Sequence, residues 1–558
     1  MSRTGSQVLV DTLVDEGVQH LFGIPGGVVI PLFDVLYDAP IDVILTRHEQ
    51  GAGHAADGYA RASGKVGVCV ATSGPGATNL VTAIATANFD SVPIVAITGQ
   101  VRTYLIGNDA FQEADITGIT RPITKHNFLV RDVAKLGATL RAAFHIARTG
   151  RPGPVLVDVP VDVSTAQTDV PTPKEADVPG YRPHTKGNAR QIHLAAEAIN
   201  KAQRPLLYVG GGVILAGATD LLRQLAEVAQ LPVTTTLMGL GAFPEDHPLA
   251  LKMLGMHGTA YANFAMQHAD CIIAVGARFD DRITGKLDEF APQRNCIIHI
   301  DIDPASIAKS IPVDIPVVGD AKSILRQLLK AVQPAQHTEW LALVNEWKAK
   351  HPLAYDPSNG KVKPQHVIQQ ICDATKGEAI ICTEVGQNQM WAAQWYTHRH
   401  PRHFISSGGL GTMGYGFPAA MGAQVACPDK IVFDIAGDGS IQMNIQELAT
   451  VVRRKIPVKI AILNNGYLGM VRQWQEMFYK KRYSSTYLAD GNPDFVKVAE
   501  AYGAKGIRVE HPDQVRPAIE DALATPGPVV LDFRIDPEEN VFPMVPAGEA
   551  IHRMRGLA

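Results

Sequence analysis

The stretch "IVFDIAGDGS", Ile431 to Ser440, decides how the last third of the chain folds. "IVFDIA" is a short apolar run closed by glycine, which predicts a buried strand. It ends at Gly437-Asp438-Gly439, and the spacing predicts a helix opening at Ser440 and continuing through "IQMNIQELATVVRR". A lone G-D-G is ordinarily a surface turn, so its surroundings must decide. Downstream, a second strand-like run, "VKIAIL", leads into Asn464-Asn465. Strand, helix, strand predicts a parallel pair, and Asp438 and Asn465 then stand at the same sheet edge.

Those residue types suit one chemistry. Mg²⁺ takes oxygen ligands at about 2.1 Å in near-octahedral geometry and commonly draws several from phosphate and water. One carboxylate, one amide and a backbone carbonyl meet that demand. Flanking glycines let the main chain approach a diphosphate, whose remaining charge is met by N–H groups at a helix start.

The same grammar extends outward. Strand-like runs alternate with helical patterns along most of the 558 residues, predicting an α/β protein of three doubly wound parallel-sheet domains. "STAQTDVPTPKEADVPGYRPHTKG" (164–187) is proline-rich and polar and predicts a linker, and 336–361, ending near "HPLAYDPSNG", is read the same way. The domains expected are 1–163, 188–335 and 362–540, with a tail over 541–558. In the first, "IDVILT" precedes "RHEQGAGHAADGYARASG", a helix whose small residues allow close packing on another backbone. Glu49 sits at that strand's carboxyl end. "VGVCVAT" then runs into the glycine loop "SGPGATN".

Charged residues make up 19% against 46% hydrophobic, which favours large buried cores and subunit contact. A net charge of -4, with both signs interspersed, gives no footprint for nucleic acid or anionic lipid. Six scattered cysteines without C-x-x-C suggest neither a zinc cage nor a disulfide framework, and fit a reduced cytosol. No signal peptide or membrane span is expected, since the long uncharged runs contain glycine-rich polar turns.

"GDGS" followed by "NN" resembles the diphosphate motif of thiamine diphosphate enzymes. The likeness extends through "FGIPGG", "RHEQGAGHAADGYAR", "SGPGATNLVT", "DAFQE", "GRPGPV", "MLGMHG", "GARFDDR", "GGLGTMGYG", "NNGYLGMVRQWQ" and "VFPMVP", in order, to the catalytic subunits of acetohydroxyacid (acetolactate) synthases. The resemblance implies pyrimidine-binding, central FAD-binding-like and diphosphate-binding domains. It implies decarboxylation of pyruvate and transfer of the two-carbon unit to pyruvate or 2-oxobutanoate, the first common step of branched-chain amino-acid biosynthesis. Implied cofactors are thiamine diphosphate, Mg²⁺ and FAD, the flavin structural because the reaction has no net redox change. A homodimer or dimer of dimers with interfacial active sites is implied, and a separate regulatory small subunit is left open.

Carried over by position, the resemblance assigns Glu49 to the aminopyrimidine N1′. A carboxylate there favours the imino tautomer, whose nitrogen takes the proton of thiazolium C2. Asp438, Asn465 and the carbonyl of Tyr467 go to the metal. Met413 is the wedge that bends the cofactor, beside Val385 and Gly411. Pro25, Gly26, Pro75 and Asn79 are implied on the aminopyrimidine side. Gly386, Gln387, Asn388, Gly437, Gly439, Ser440, Leu468, Gly469 and Met470 complete that set. Gly26 and Gln112 would border the reacting carbon, with Phe111 adjacent. Trp474 would contact the extra methyl of 2-oxobutanoate, a discrimination worth roughly 1–3 kcal/mol, with Met256 nearby and Arg282 facing the acceptor's carboxylate. By themselves Glu49 is a solvated carboxylate at a helix start and Trp474 a core residue. His48 is assigned nothing.

The middle segment's "RPLLYVGGGVILAGA" lacks G-x-G-x-x-G and is weak by itself. The resemblance implies flavin contacts at Arg151, Gly210, Gly211, Gly212, Thr236, Leu237 and Met238. Leu254, Gly255, Met256, His257, Gly276, Ala277 and Arg278 follow, then Asp280, Arg282, Asp301, Ile302, Asp320 and Ala321. A domain that kept the architecture and lost the ligand is the alternative. Three positions depart from the family pattern: Val161 replaces a lysine, Asn388 a histidine, and Tyr467 occupies a variable position that uses only its backbone. Rival readings are a flavin-free acetolactate synthase, another carboligase or decarboxylase of 2-oxo acids, and a non-catalytic cofactor-binding or regulatory scaffold.

Overall fold

The computed structural model describes residues 2–557. Three six-stranded sheets, every neighbouring pair parallel, form three α/β layers in sequence. The first runs Asp42–Leu45, His20–Gly23, Gly67–Ala71, Ile94–Gln100, Val155–Pro160, His126–Leu129 across its width. The third runs Phe404–Ser406, Ile380–Thr383, Val432–Gly437, Lys459–Asn464, Val529–Arg534, Lys505–Val509. With strands numbered by chain order within each sheet, both read 2-1-3-4-6-5. The likeness between the two segments is therefore topological as well as compositional.

The middle sheet reads 3-2-1-4-5-6, the order of dinucleotide-binding folds. Its order reverses between Pro205–Val209 and Cys271–Val275. Gly210 and Gly276 follow those two strands, and a Cβ on Gly210 would lie 2.1 Å from the Gly276 carbonyl oxygen. Only glycine permits this closure of the switch point.

The first and third layers meet through two helices, Glu49–Ser63 and Gly416–Ala426, each following the second strand of its sheet. The small residues of the first let the backbones touch: a Cβ on Gly58 would lie 2.1 Å from the Ala419 oxygen, and one on Gly422 1.9 Å from the Ala55 oxygen. Ala52, Ala55, Ala56, Ala419, Ala420 and Ala423 fill the rest of the contact and are buried. The His48 ring nitrogen accepts from Gln50 N at 3.0 Å, capping the helix in the manner of an Asx residue, an arrangement worth about 1 kcal/mol. Gly64, at φ 75°, ends it.

Three expectations need correcting. Ser440 does not open a continuous helix: two 3₁₀ turns, Ile441–Met443 and Ile445–Glu447, precede a helix over Leu448–Arg454. Asn444 turns inward and donates to the Gly414 carbonyl at 2.6 Å, which breaks the regular turn. Second, 336–361 is not a plain linker, since Thr338–Lys350 is a helix whose Trp340 indole donates to Pro205 O at 3.0 Å and buries against the middle layer. Third, the tail 541–558 is docked: Ile551 is buried in the middle domain's core and Asn263 donates to its carbonyl. No helix among the described residues is long and apolar enough to cross a membrane.

Overpacking the helix contact should destabilise the whole. Gly422→Val places a branched side chain against the Ala55 carbonyl, at a cost of about 1–3 kcal/mol or more. A fall of several degrees in the thermal unfolding midpoint is expected, with Ala423→Gly as a comparison of smaller effect.

Candidate functional site

The structure gathers the named residues into two groups. The first lies on the N-terminal layer, where the strands His20–Gly23 and Gly67–Ala71 part. Asn79 donates to Glu49 Oε2 at 2.9 Å, and a Cβ on Gly76 would lie 3.3 Å from Glu49 Oε1. Glu49 is the first residue of its helix, where the N-terminal dipole favours an anion. Pro25 and Gly26 follow the neighbouring strand, and a Cβ on Gly26 would strike Thr72 at 2.5 Å. Pro75 starts the short helix after the glycine loop. Gln112 closes over that loop, its backbone oxygen 2.8 Å from a Cβ placed on Gly74. It does so at φ 59°, a left-handed conformation costing a non-glycine residue of order 1 kcal/mol or more. Phe111 beside it is 87% exposed.

The second group lies at the corresponding edge of the third sheet. Asp438 follows the strand Val432–Gly437, is buried, and accepts from Asn492 Nδ2 at 2.7 Å. Burial pushes its carboxyl up to about 6 despite that hydrogen bond. Asn465 donates to Gln387 Oε1 at 3.1 Å, and its own side-chain oxygen accepts from Tyr467 N at 3.0 Å. Ser440 Oγ accepts from Gly437 N and Asn388 Nδ2 donates to Ile435 O, tying the loop to the strand end. Side chains would not fit at the glycines: a Cβ on Gly439 meets Leu468 at 2.9 Å and one on Gly469 meets Gln387 at 2.2 Å. Met413 Cε lies 3.9 Å from the Gly439 position, and Val385 Cγ1 3.9 Å from the Gly411 position. Among the described residues no three His, Cys, Asp or Glu converge as metal ligands, so a cation here would take a mixed carboxylate, amide and carbonyl set.

A cavity of about 1590 Å³ opens from this edge into the middle domain. Val385, Gly386, Gly411, Met413 and Met470 line it, as do Trp474, Met256 and Arg282. All residues named for the flavin line it except Gly255, which is turned away and held by Asn263. Arg151 reaches it while paired to Asp303 at 3.1 Å, and burial raises the Asp301 carboxyl to about 6. Trp474 packs edge-on to Phe478 and faces the cavity. Glu49, Gln112, Phe111 and Gly26 do not line it, and neither do Asp438, Asn465 and Tyr467.

Several residues that shape the site escaped sequence reading. Asn492, which holds Asp438, lies in an unremarkable loop far along the chain. Glu384 accepts from Gly414 N and Phe417 N on the Met413 loop. Burial raises the carboxyls of both Glu384 and its neighbour Asp434. A lone acid after the strand "AIICT" carried no signal beyond its position at the strand's carboxyl end. Val161 opens a short helix, Val161–Thr165, in place of the family's lysine.

The switch-point loops and the carboxylate between glycines belong to a fold class that sequence comparison also finds. The N-terminal thiamine pyrophosphate (TPP) binding domain of thiamine pyrophosphate enzymes matches residues 3–119, the central domain 192–328, and the C-terminal TPP binding domain 384–533. An acetolactate synthase of Mycobacterium bovis is 51% identical over 99% of this chain and 92% of its own. The large subunit of Corynebacterium glutamicum is 51% identical over 98% and 89%, and that of Porphyra purpurea 48% over 100% and 96%. The chain belongs to the acetolactate synthase large-subunit family.

Gly439→Val should push Leu468 and the neighbouring Leu488 out of place. Thiamine diphosphate binding, measured by titration calorimetry, is expected to weaken at least tenfold with the circular dichroism unchanged.

Proposed function

We propose that the chain is the catalytic subunit of an acetolactate synthase that decarboxylates pyruvate and transfers the two-carbon unit to a second pyruvate or to 2-oxobutanoate. The product is a 2-acetohydroxy acid, at the first common step toward branched-chain amino acids. One observation carries the reading: Val385, Gly411 and Met413 line the same cavity as Met256, Arg282 and Trp474, so cofactor-holding and acceptor-choosing groups share one chamber.

Thiamine diphosphate, when bound, supplies a nucleophilic carbon and an electron sink for decarboxylation. Asp438, Asn465 and the Tyr467 carbonyl would hold Mg²⁺ against its diphosphate, and the fit is chemical: a buried carboxylate with an amide as side-chain partner gains from a cation. Met413 shapes the cofactor's seat. Glu49 would hold or take a proton at the aminopyrimidine N1′, and Asn79 donates to its Oε2 at 2.9 Å. Gln112 and Gly26 would border the reacting carbon, with Phe111 adjacent. Arg282 binds the acceptor's carboxylate and Trp474 contacts its alkyl end.

FAD fits the remainder of the cavity. Pockets that bury one drug-sized ligand measure about 300–1,000 Å³, and this chamber, at about 1590 Å³, exceeds that range. The glycine closure at Gly210 and Gly276 leaves backbone accessible at the switch point, where such folds bind nucleotides.

The reading takes the acid of the site from a second copy, as the family resemblance implies. Glu49 and Gln112 stand outside the chamber of their own chain, while Phe111, Tyr104 and Met443 leave large apolar surfaces exposed for a partner. A homodimer or dimer of dimers is the assembly this reading calls for, and a separate regulatory small subunit stays open.

Purified enzyme given pyruvate should form acetolactate, and added 2-oxobutanoate should divert product to the mixed acid. Trp474→Leu should erode that diversion by about tenfold, read as the product ratio in competition, and an unchanged ratio would remove Trp474 from acceptor choice. Native protein should also carry a flavin absorbance band that Gly210→Val abolishes.

A further inference from the structure

The segment that carries Asp438 ends on a second acid, Glu447, which no cofactor contact uses. Its side chain is fully buried between the third and first layers. Glu447 Oε1 accepts the backbone N–H of Arg47 at 2.9 Å and of His48 at 3.1 Å, and Oε2 accepts from Thr450 Oγ1 at 2.7 Å. Thr450 also donates to Leu45 O, at the end of the strand that leads to Glu49. A Cβ on Gly51 would lie 2.6 Å from Glu447 Oε1, so glycine is required for the carboxylate to reach the chain there. The two residues immediately before Glu49 are thus held by an acid from another domain, and His48 caps the helix that Glu49 begins.

We propose that Glu447 is a positioning residue for Glu49: it fixes the turn from which Glu49 addresses the aminopyrimidine. This rests on the function proposed above. Two N–H groups that would otherwise be unpaired at the helix start are satisfied by one oxygen, so the direction of the Glu49 side chain is set from the C-terminal domain. The connection continues along the segment. Asn444 binds the Gly414 carbonyl next to Met413, and Gln442 donates to the Asp438 carbonyl at 2.8 Å and to Asn492 at 3.0 Å. In the dimer proposed here, each copy of 438–447 therefore holds the metal ligand of one active site at its start and the acid of the other at its end.

The test is hydrogen–deuterium exchange at thiazolium C2 in the holoenzyme with thiamine diphosphate and Mg²⁺, alongside cofactor affinity. Glu447→Ala should slow exchange at least tenfold while affinity changes less than threefold. Glu447→Gln, whose amide oxygen still accepts both N–H groups, should restore most of the rate. Gly51→Ala, which keeps the acid but crowds it, should slow exchange and gives the answer if Glu447→Ala does not fold. Native exchange in the cofactor-loaded Glu447→Ala, or in Gly51→Ala where the former does not fold, overturns the proposal, as does equal slowing in the alanine and glutamine variants. Glu49→Gln is the separate control: native exchange in that variant overturns the role of Glu49 itself, whereas failure of the Glu447 variants alone leaves it standing.

Discussion

Two helix backbones pressed together without side chains between them hold the first and third layers in register. Gly58 and Gly422 each face a carbonyl of the other helix, and alanines fill the flanks. Such an approach leaves no room for a polar group to relax, so the charges beside it are tied into one set, with only Asp57 Oδ2 left without a partner. Arg61 donates to Asp57 at 2.6 Å, to Asp90 at 2.9 Å and to the Ser406 carbonyl at 2.9 Å, and Tyr415 donates to Asp57. Asp90 in turn accepts from Gly408 N and Gly409 N. Breaking one member of a buried set of this kind costs about 3–5 kcal/mol, because the others are left charged and unpaired. The loop 408–413, a wall of the cavity, is thereby fixed from the other domain.

Much of this was legible in the sequence, for reasons that differ by element. Buried parallel strands show as continuous apolar runs ended by glycine, as in "IVFDIAG", and so the α/β class and the sheet edge holding Asp438 follow from pattern alone. The small residues of "GAGHAADGYA" announced a close helix contact, though not its partner, since Gly416–Ala426 carries a similar signature hundreds of residues away. Asn492 and Glu447 were illegible because their roles depend on three-dimensional neighbours, and an Asn in a loop or a Glu near a helix start is ordinary. The break after Ser440 was missed because the helical periodicity of "IQMNIQEL" is real, yet the inward hydrogen bond of Asn444 wins locally. The helix Thr338–Lys350 was hidden by the polar stretch that follows it.

The topology places the two groups at equivalent edges of two different sheets. The first and third sheets share a strand order and pack through equivalent helices, so their switch points lie in comparable places on two related layers. Each switch point gathers glycine loops suited to one end of a ligand, and the middle domain covers only that of the third sheet. Glu49 stands at the switch point of the first sheet, with Gln112 strained over the neighbouring glycine loop and Phe111 exposed. A left-handed non-glycine residue and an exposed aromatic side by side mark this face as one where a bound group would offset the strain and cover the apolar surface.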